Sequence, residues 1–514
     1  MKLSELIEKL PFPYHLTRGD VDILGITSDS RLVKPGYLFI AISGGTTDGH
    51  SFITNALERG AVAVSGTREM PDLPVPYLMV ENSRQVLPHL AAAFYGFPAR
   101  NLTMVGVTGT DGKTTTTNLI YQILLAAGVK VGMISTINAV IADQVLDTGF
   151  HVTTPDAPDV QRYLAQMLTQ GVTHAVLEVT SHGLAQYRAD ACEFDVAVIT
   201  NITHEHLDYH GSFEVYRAAK ARLFEGLGST LPKSQGNPRK AILNRDDASF
   251  DFLSGVTTGS LLTYGFHPEA QIRPAQIENT AQGMRFKLQG FGEEFSVSSH
   301  LLGDFNISNC LAAISATVFT LEIPPEAAQE GIASLLSVSG RMERIDLGQD
   351  FIALVDFAHT PNALQRALQT ARQFSSGRLI AVFGSAGLRD RQKRRMMAET
   401  SVELADLTIL TAEDPRTELL DDILAEMAAG ALSRGGTEGK TFWTIPDRGN
   451  ALRFAVSLAQ AGDTLITCGK GHEQSMCFGA IEYPWDDRTA LRAAISEHLS
   501  IPGPPMPYLP TQDH

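Results

Sequence analysis

Between Thr103 and Gly128 the chain reads TMVGVTGTDGKTTTTNLIYQILLAAG, and this stretch restricts the fold more than any other. MVGV (104–107) has the apolar character of a buried strand, and TGTDG (108–112) is a glycine turn. The following segment puts Leu119, Ile120, Ile123, Leu124 and Ala127 on one helical face and ends at Gly128, a C-terminal cap. VGMIST (131–136) is the next strand. Strand, turn, helix and strand form a βαβ unit, whose crossover implies a parallel sheet. HAVLEV (174–179) and VAVIT (196–200) read as further buried strands of it.

Other segments group around this unit. Residues 20–98 read as short strands and helices, with YLFIAI (37–42) a buried strand and SGGTTDGH (43–50) a loop. Between about 256 and 300 the pattern alternates in pieces such as MRFKL (284–288) and FSVSS (295–299), which predicts an antiparallel insertion or edge. From Gly340 a second run begins. Strands FIALVD (351–356), LIAVFG (379–384), LTIL (407–410) and TLITCG (464–469) alternate with helices over 361–374 and 419–432, the pattern of a doubly wound unit. The last stretch, 500–514, holds five prolines and reads as a loose tail.

At roughly 150 residues per domain, 514 residues predict two to four domains. The expected fold is α/β with three domains. A small N-terminal α/β domain spans 1–100, a central P-loop-type parallel-sheet ATPase domain 101–338, and a Rossmann-like domain 339–500, followed by a proline-rich tail over 501–514. Hydrophobic residues at 44% exclude a disordered chain. The net charge, 41 − 57 = −16, argues against nucleic-acid and anionic-membrane partners. Four cysteines without a C-x-x-C pair make neither a disulfide framework nor a thiolate zinc site. With no signal-like N-terminus and no long apolar run, a soluble cytoplasmic protein is expected; a monomer is the expected state, which composition does not fix.

The turn carries the chemistry. Gly109 and Gly112 let backbone N–H groups close around phosphate oxygens, Lys113 adds a positive charge, and the Thr114 hydroxyl can reach Mg²⁺. The strict phosphate-loop spacing fails at Val107, where that pattern has glycine. A nucleotide site of this kind needs ligands at the ends of neighbouring strands. Glu178 ends one such strand, and His206 follows VAVIT by six residues. THEHLDYH (203–210) resembles a hydrolase zinc motif, but Tyr209 separates Asp208 from His210, and the alternative is a histidine-rich positioning loop.

These segments, with TTP (153–155), EVTSHGL (178–184), NITHEHLDYHGSFEVYRAAKARLF (201–224), GDFNISNCLAA (303–313), GRME (340–343), VDFAHTPNAL (355–364) and GKGHE (469–473), resemble the Mur ligases. Within that family they resemble the branch that adds the third residue of the peptidoglycan stem peptide, and TSDSRLVKPGYLFIAISGGTTDGH (27–50) resembles its UDP-holding domain. The resemblance implies an enzyme that activates UDP-MurNAc-L-Ala-D-Glu with ATP and Mg²⁺ as an acyl phosphate, which the amine of a diamino acid then attacks.

The resemblance assigns roles residue by residue. Gly109, Thr110, Asp111, Gly112, Lys113, Thr114 and Thr115 would hold the phosphates, Asn306 and Asn309 the adenine side, and Arg341 and Asp356 would reach the nucleotide from the third domain. The bland reading of the two asparagines is helix capping. Thr114, Glu178 and His206 would bind Mg²⁺. Lys220, which by composition alone reads as a solvated helix residue, would become a carbamate ligand for a second Mg²⁺. Ser30, Gly45, Thr46, Thr47, Thr153, Thr154, Ser181, Gln186 and Arg188 match the UDP-MurNAc-dipeptide positions.

Arg389, Glu413, Asp414, Pro415, Arg416, Gly469 and Glu473 match the amino-acid pocket. Relatives using meso-diaminopimelate carry D-N-P-R there, and this chain has Glu413-Asp414-Pro415-Arg416. Arg416 favours diaminopimelate, because its fork pairs with a distal carboxylate. Asp414 could neutralise Arg416 and favour ornithine or lysine. Two readings of other kinds stay open: a folylpolyglutamate-type ligase, and a non-catalytic binding subunit of similar fold.

Overall fold

The computed structural model describes residues 1–513 apart from 18, 45, 46, 143, 147–152, 204, 206, 281 and 282. The chain is α/β, as the alternation of apolar strands and helices predicts. Its first sheet has five strands, in spatial order Tyr14–Leu16, Tyr77–Val80, Ala61–Gly66, Tyr37–Ile40 and Gly25–Thr27, with only the first antiparallel to its neighbour. Side chains alternate across it. Leu38 and Ile40 pack with Leu87 and Leu90 on one face, while Phe39 and Val64 pack with Ile53 and Ala56 on the other.

The central sheet has eight strands, in the order Ser260–Tyr264, Lys240–Asn244, Val196–Ile199, Thr103–Thr108, His174–Glu178, Val131–Ile134, Ala139–Ile141 and Gln144–Leu146. The first six run parallel, and the last two form an antiparallel edge. Helices cover both faces, which is why its strands are continuous apolar runs. Lys113–Ala126, Phe305–Thr317 and Pro325–Ser334 pack on one side, and Ala157–Thr169, Phe213–Glu225 and Phe250–Val256 on the other.

The alternating region near 256–300 divides in two. Arg273–Thr280, Gly283–Gly290 and Glu293–Ser299 form the expected antiparallel sheet. Ser260–Tyr264 departs from that reading and extends the parallel sheet beside Lys240–Asn244, where Leu262 and Tyr264 are buried.

From residue 343 a six-stranded sheet runs Glu343–Ile345, Ile352–Asp356, Thr464–Cys468, Leu379–Phe383, Leu407–Leu410 and Phe442–Thr444, parallel except for its first strand. Helices Pro361–Phe374, Arg391–Leu404 and Leu420–Ser433 cover one face, and Arg448–Leu458 and Asp487–Leu499 the other. The final segment is not the loose tail its prolines suggest. Leu509 is fully buried, Met506 packs against the same core, and Thr511 Oγ1 donates to Asp447 Oδ2 at 2.8 Å. Two apolar side chains and one hydrogen bond outweigh the backbone's lack of regular structure. Among the described residues no helix is long and apolar enough to cross a membrane.

Candidate active site

The turn after Thr108 opens between the ends of His174–Glu178 and Val196–Ile199, with Glu178 in register with Val107 and Ile199 with Thr108. This is the crevice in which an open parallel sheet binds its ligand. Gly109 and Gly112 have φ of +151° and +82°, and an added Cβ would stand 1.8 Å from Thr200 Oγ1 and 2.4 Å from Asn309 Oδ1. Neither position admits a side chain. Val107 is a strand residue, so the turn begins only at Gly109 and the strict spacing has no room.

The turn is templated by its neighbour. Thr110 N donates to Asn201 O at 2.7 Å, Asp111 N to Asn201 Oδ1 at 3.0 Å, and Thr200 Oγ1 to Asp111 O at 2.6 Å. Thr110 Oγ1 lies 2.8 Å from the Tyr216 hydroxyl and accepts from Thr203 N at 2.9 Å.

Cations and carboxylates converge on this frame. Lys113 opens its helix and donates from Nζ to Thr110 O at 2.9 Å, and burial lowers its pKa. Thr114 Oγ1 donates to Glu178 Oε1 at 3.1 Å, while Glu178 Oε2 accepts from Thr136 N at 3.0 Å. Thr115 is buried beside them in sequence. Lys220 is not solvated: it is 1% exposed, and its Nζ donates to Gly109 O at 2.6 Å and lies 4.7 Å from the Tyr216 ring centroid. Burial, and then the charge of Lys113, push its pKa well below the ordinary lysine value.

Asn306 and Asn309 are buried in the helix Phe305–Thr317 and do not cap it. Asn306 Nδ2 donates to Leu302 O at 2.8 Å and Asn309 Nδ2 to Asn306 Oδ1 at 2.8 Å, leaving Asn309 Oδ1 against Gly112 and Thr116. A cavity of about 360 Å³ is lined by His300, Leu302, Arg341 and Met342, and its Leu302 is the carbonyl partner of Asn306. Arg341 stacks on Phe357 at 4.4 Å, and burial lowers its pKa against the pull of Asp356. Asp356, its own pKa raised by burial, accepts from Met342 N at 2.7 Å and Ala358 N at 2.8 Å.

A second cavity, of about 170 Å³, lies between the first and central sheets and is lined by Ser28, Arg84, Asp156, Gln186 and Arg188 among others. Arg188 Nη1 donates to Thr154 O at 2.8 Å, and its Nε to Gln186 Oε1 at 3.1 Å. Thr154 Oγ1 donates to Glu178 O at 3.2 Å, Thr153 is half-buried before it, and Ser181 Oγ lies 3.1 Å from His210 Nε2. Ser30 is buried at the start of a short helix capped by Asp29, and Thr47 O accepts from Gly44 N at 2.9 Å. Gly45, Thr46 and His206, with His204 of the zinc-like motif, lie outside the described residues. Arg84 and Ser28 escape sequence reasoning, since an arginine in the first turn of a helix reads as a solvated charge.

The third group lies at strand ends of the last sheet. Glu413 is buried, its Oε2 has no hydrogen-bond partner, and a Cβ on Gly469 would stand 2.2 Å from that atom. Burial raises its pKa to about 7. Among the described residues Asp414 makes no ion pair with Arg416. Its Oδ1 accepts from Lys470 Nζ at 2.9 Å and from Cys477 N at 2.9 Å, and Lys470 also pairs with Glu473 at 2.5 Å. Lys470, inside GKGHE, is the partner the sequence reading omits. Pro415 is buried, Arg416 N donates to Cys477 O at 3.0 Å, and Arg389 stands exposed on the loop before helix Arg391–Leu404.

Three family models match the chain: the Mur ligase family catalytic domain over 22–95, the Mur ligase middle domain over 107–317, and the Mur ligase glutamate ligase domain over 340–471. A UDP-N-acetylmuramoyl-L-alanyl-D-glutamate--2,6-diaminopimelate ligase of Geobacillus thermodenitrificans is 41% identical, covering 97% of this chain and 100% of its own. A UDP-N-acetylmuramyl-tripeptide synthetase of a Roseiflexus species is 43% identical, covering 97% and 99%. A solved structure of a UDP-N-acetylmuramoyl-L-alanyl-D-glutamate--2,6-diaminopimelate ligase superposes with a TM-score of 0.65 at 32% identity, covering 93% of this chain and 95% of that one. A folylpolyglutamate synthase of Mycobacterium tuberculosis complexed with ADP and AMPPCP shares the fold at 16% identity, with a TM-score of 0.60 and coverage of 80% and 94%.

Proposed function

Since this chain belongs to the Mur ligase family, we propose that it is the ATP-dependent ligase that joins a diamino acid, meso-diaminopimelate, to UDP-MurNAc-L-Ala-D-Glu in peptidoglycan precursor synthesis. The observation that carries the reading is the convergence of Lys113, Glu178 and buried Lys220 on one glycine turn. That arrangement suits transfer of a phosphoryl group between anions, where catalysis is positioning and charge neutralisation.

In this reading, residues 1–100 hold the UDP-MurNAc part, 101–338 the ATP and 339–500 the amino acid. Backbone N–H groups of 109–112 cradle the phosphates and Lys113 offsets their charge. Asn306 and Asn309 face the nucleoside end, and Arg341 and Asp356 approach it from the third unit. Ser30, Gly45, Thr46, Thr47, Thr153, Thr154, Ser181, Gln186 and Arg188 hold the UDP-MurNAc-dipeptide, with Arg84 added as a cation for its phosphates.

The oxygen donors around Thr114 and Glu178 fit a hard divalent cation, and with His206 and carbamylated Lys220 they would hold Mg²⁺. When bound, Mg²⁺ supplies charge neutralisation for the phosphates. Lys220 is suited to carbamylation because burial depresses its pKa and so favours the neutral, nucleophilic amine over the ammonium. The neutral Nζ attacks CO₂, a C–N bond forms, a proton leaves to solvent, and an anionic carbamate replaces the neutral amine.

The terminal carboxylate of the dipeptide takes the γ-phosphoryl group, giving an acyl phosphate and ADP. The amine of the incoming amino acid attacks the carbonyl carbon, loses a proton, and expels phosphate as the amide forms. Arg389, Glu413, Asp414, Pro415, Arg416, Gly469 and Glu473 surround that amino acid. Because Asp414 is matched by Lys470, Arg416 keeps its fork for a distal carboxylate, which supports diaminopimelate over lysine or ornithine. Small-molecule substrates and a monomeric, cytoplasmic enzyme complete the reading.

The test is phosphate release with ATP, Mg²⁺ and UDP-MurNAc-L-Ala-D-Glu, adding diaminopimelate, lysine or ornithine in turn. Release that needs both the nucleotide sugar and an amino acid, and is fastest with diaminopimelate, is expected. Preference for lysine or ornithine would reassign the third substrate. No release with any of them would leave a binding subunit.

A further inference from the structure

Two loops present Arg389 and Arg416, and the chain stitches them together beneath the surface. Gly387 N donates to Asp414 O at 2.9 Å, and a Cβ on Gly387 would stand 2.0 Å from Pro415 O. Leu388 N donates to Glu418 Oε1. The same oxygen accepts from Arg394 Nη2 at 2.9 Å, and Arg394 Nη1 reaches Glu426 Oε2 at 3.1 Å. Arg394 is completely buried, a rare state for arginine. It lies in the helix Arg391–Leu404, whose first turn follows the Arg389 loop.

The backbone at this junction is strained. Leu388, Asp414 and Arg416 take φ of +56°, +39° and +54°, the left-handed region in which side chains clash with their own backbone. Such residues persist only where the surroundings over-determine them, and they gather at binding sites. Here Leu388 is adjacent to Arg389, and Arg416 is itself one of the three. The clamp on Leu388 N–H and the buried guanidinium supply the constraint. Neither Arg394 nor Glu418 belongs to the set that the site assigns to the amino acid.

We propose that Arg394 and Glu418 form a positioning pair that fixes the separation of Arg389 and Arg416, and with it selectivity for an amino acid bearing a carboxylate at its far end. The inference rests on the reading of Arg389 and Arg416 as the amino-acid pocket. One carboxylate oxygen holds both the loop before Arg389 and the buried guanidinium, and Glu418 N in turn donates to Pro415 O at 3.2 Å. Removing the Glu418 carboxylate frees Leu388 and leaves Arg394 short of a partner. The two arginines then lose their register, while the phosphate turn keeps its own supports at 200–203.

Steady-state kinetics of the full-length Glu418→Ala and Arg394→Lys variants test this, with Arg416→Ala as a control on the pocket itself. Both positioning variants should raise KM for diaminopimelate about tenfold and lower the diaminopimelate-over-lysine ratio of kcat/KM by about as much. KM for ATP and for the nucleotide sugar should stay within about twofold. Glu418→Gln keeps an acceptor for Leu388 N–H and should fall between native and alanine; it replaces the alanine variant if that fails to fold. An unchanged substrate ratio in these variants, or a uniform loss of kcat with every KM unchanged, overturns the pair's role. If Arg416→Ala also leaves the diaminopimelate KM unchanged, the pocket assignment itself falls, and that failure is recognisable apart from the first.

Discussion

Lys220 concentrates the conflict between folding and chemistry in one side chain. A lysine amine kept out of water holds its proton less firmly than in the unfolded chain, so between its depressed pKa and the ordinary lysine pKa the unfolded state binds more protons, and there stability from this group rises with pH. The same depression favours the neutral amine, the form that reacts with CO₂. Lys220→Arg should therefore lose turnover although it keeps a cation, because a guanidinium stays protonated. Intact mass spectrometry of the native enzyme with bicarbonate should show the added carboxyl group, and the variant should not. Glu413 gives a second test at this scale. Its carboxyl, raised to about 7 by burial, is neutral below that pH and anionic above it. If it faces the amino group of the substrate, KM for the amino acid falls as pH rises from about 6 to about 8, and Glu413→Gln flattens the profile.

Elements were legible wherever their residues expressed their surroundings. Strands buried on both faces read as apolar runs, and the ends of Lys113–Ala126 and Pro361–Phe374 fall where turn and capping chemistry put them. The helix Arg391–Leu404 was not legible. Its buried positions are Arg394, Met397, Ala398 and Ser401, so the spacing is helical while half of the face is polar. Composition alone puts Lys220 in solvent for the same reason, yet a signal existed: it lies on the stripe Tyr216, Ala219, Lys220, Leu223, Phe224, whose other members are apolar. The pairing of Asp414 with Lys470 joins residues 56 apart, a separation that no local pattern encodes. The last segment was misjudged because proline content reports backbone stiffness and says nothing of Leu509. Leu509→Ala should cost about 2–3 kcal/mol, read by denaturant unfolding of the full chain, whereas a tail lying free would cost nothing.

At the scale of the whole molecule, the proposed reaction asks an acidic chain to bind two polyanions. The net charge of −16 opposes both, so affinity depends on cations set in the crevices between sheets. Arg84 and Arg188 line one crevice, Lys113 and Arg341 approach the other, and Arg366 reaches from the last unit to within 3.9 Å of Asp111 in the turn. Arg84→Ala should raise KM for UDP-MurNAc-L-Ala-D-Glu by about tenfold, the worth of one charge-assisted hydrogen bond. KM for ATP should not move; equal effects on both substrates would detach Arg84 from the nucleotide sugar.

The anchoring of Leu509 and Thr511 also bears on how the enzyme can be watched at work. A fluorophore coupled just past that anchor would share the rotational diffusion of the last sheet and its helices instead of spinning on a slack leash. Its anisotropy decay, recorded with and without nucleotide, would then report reorientation of that whole unit.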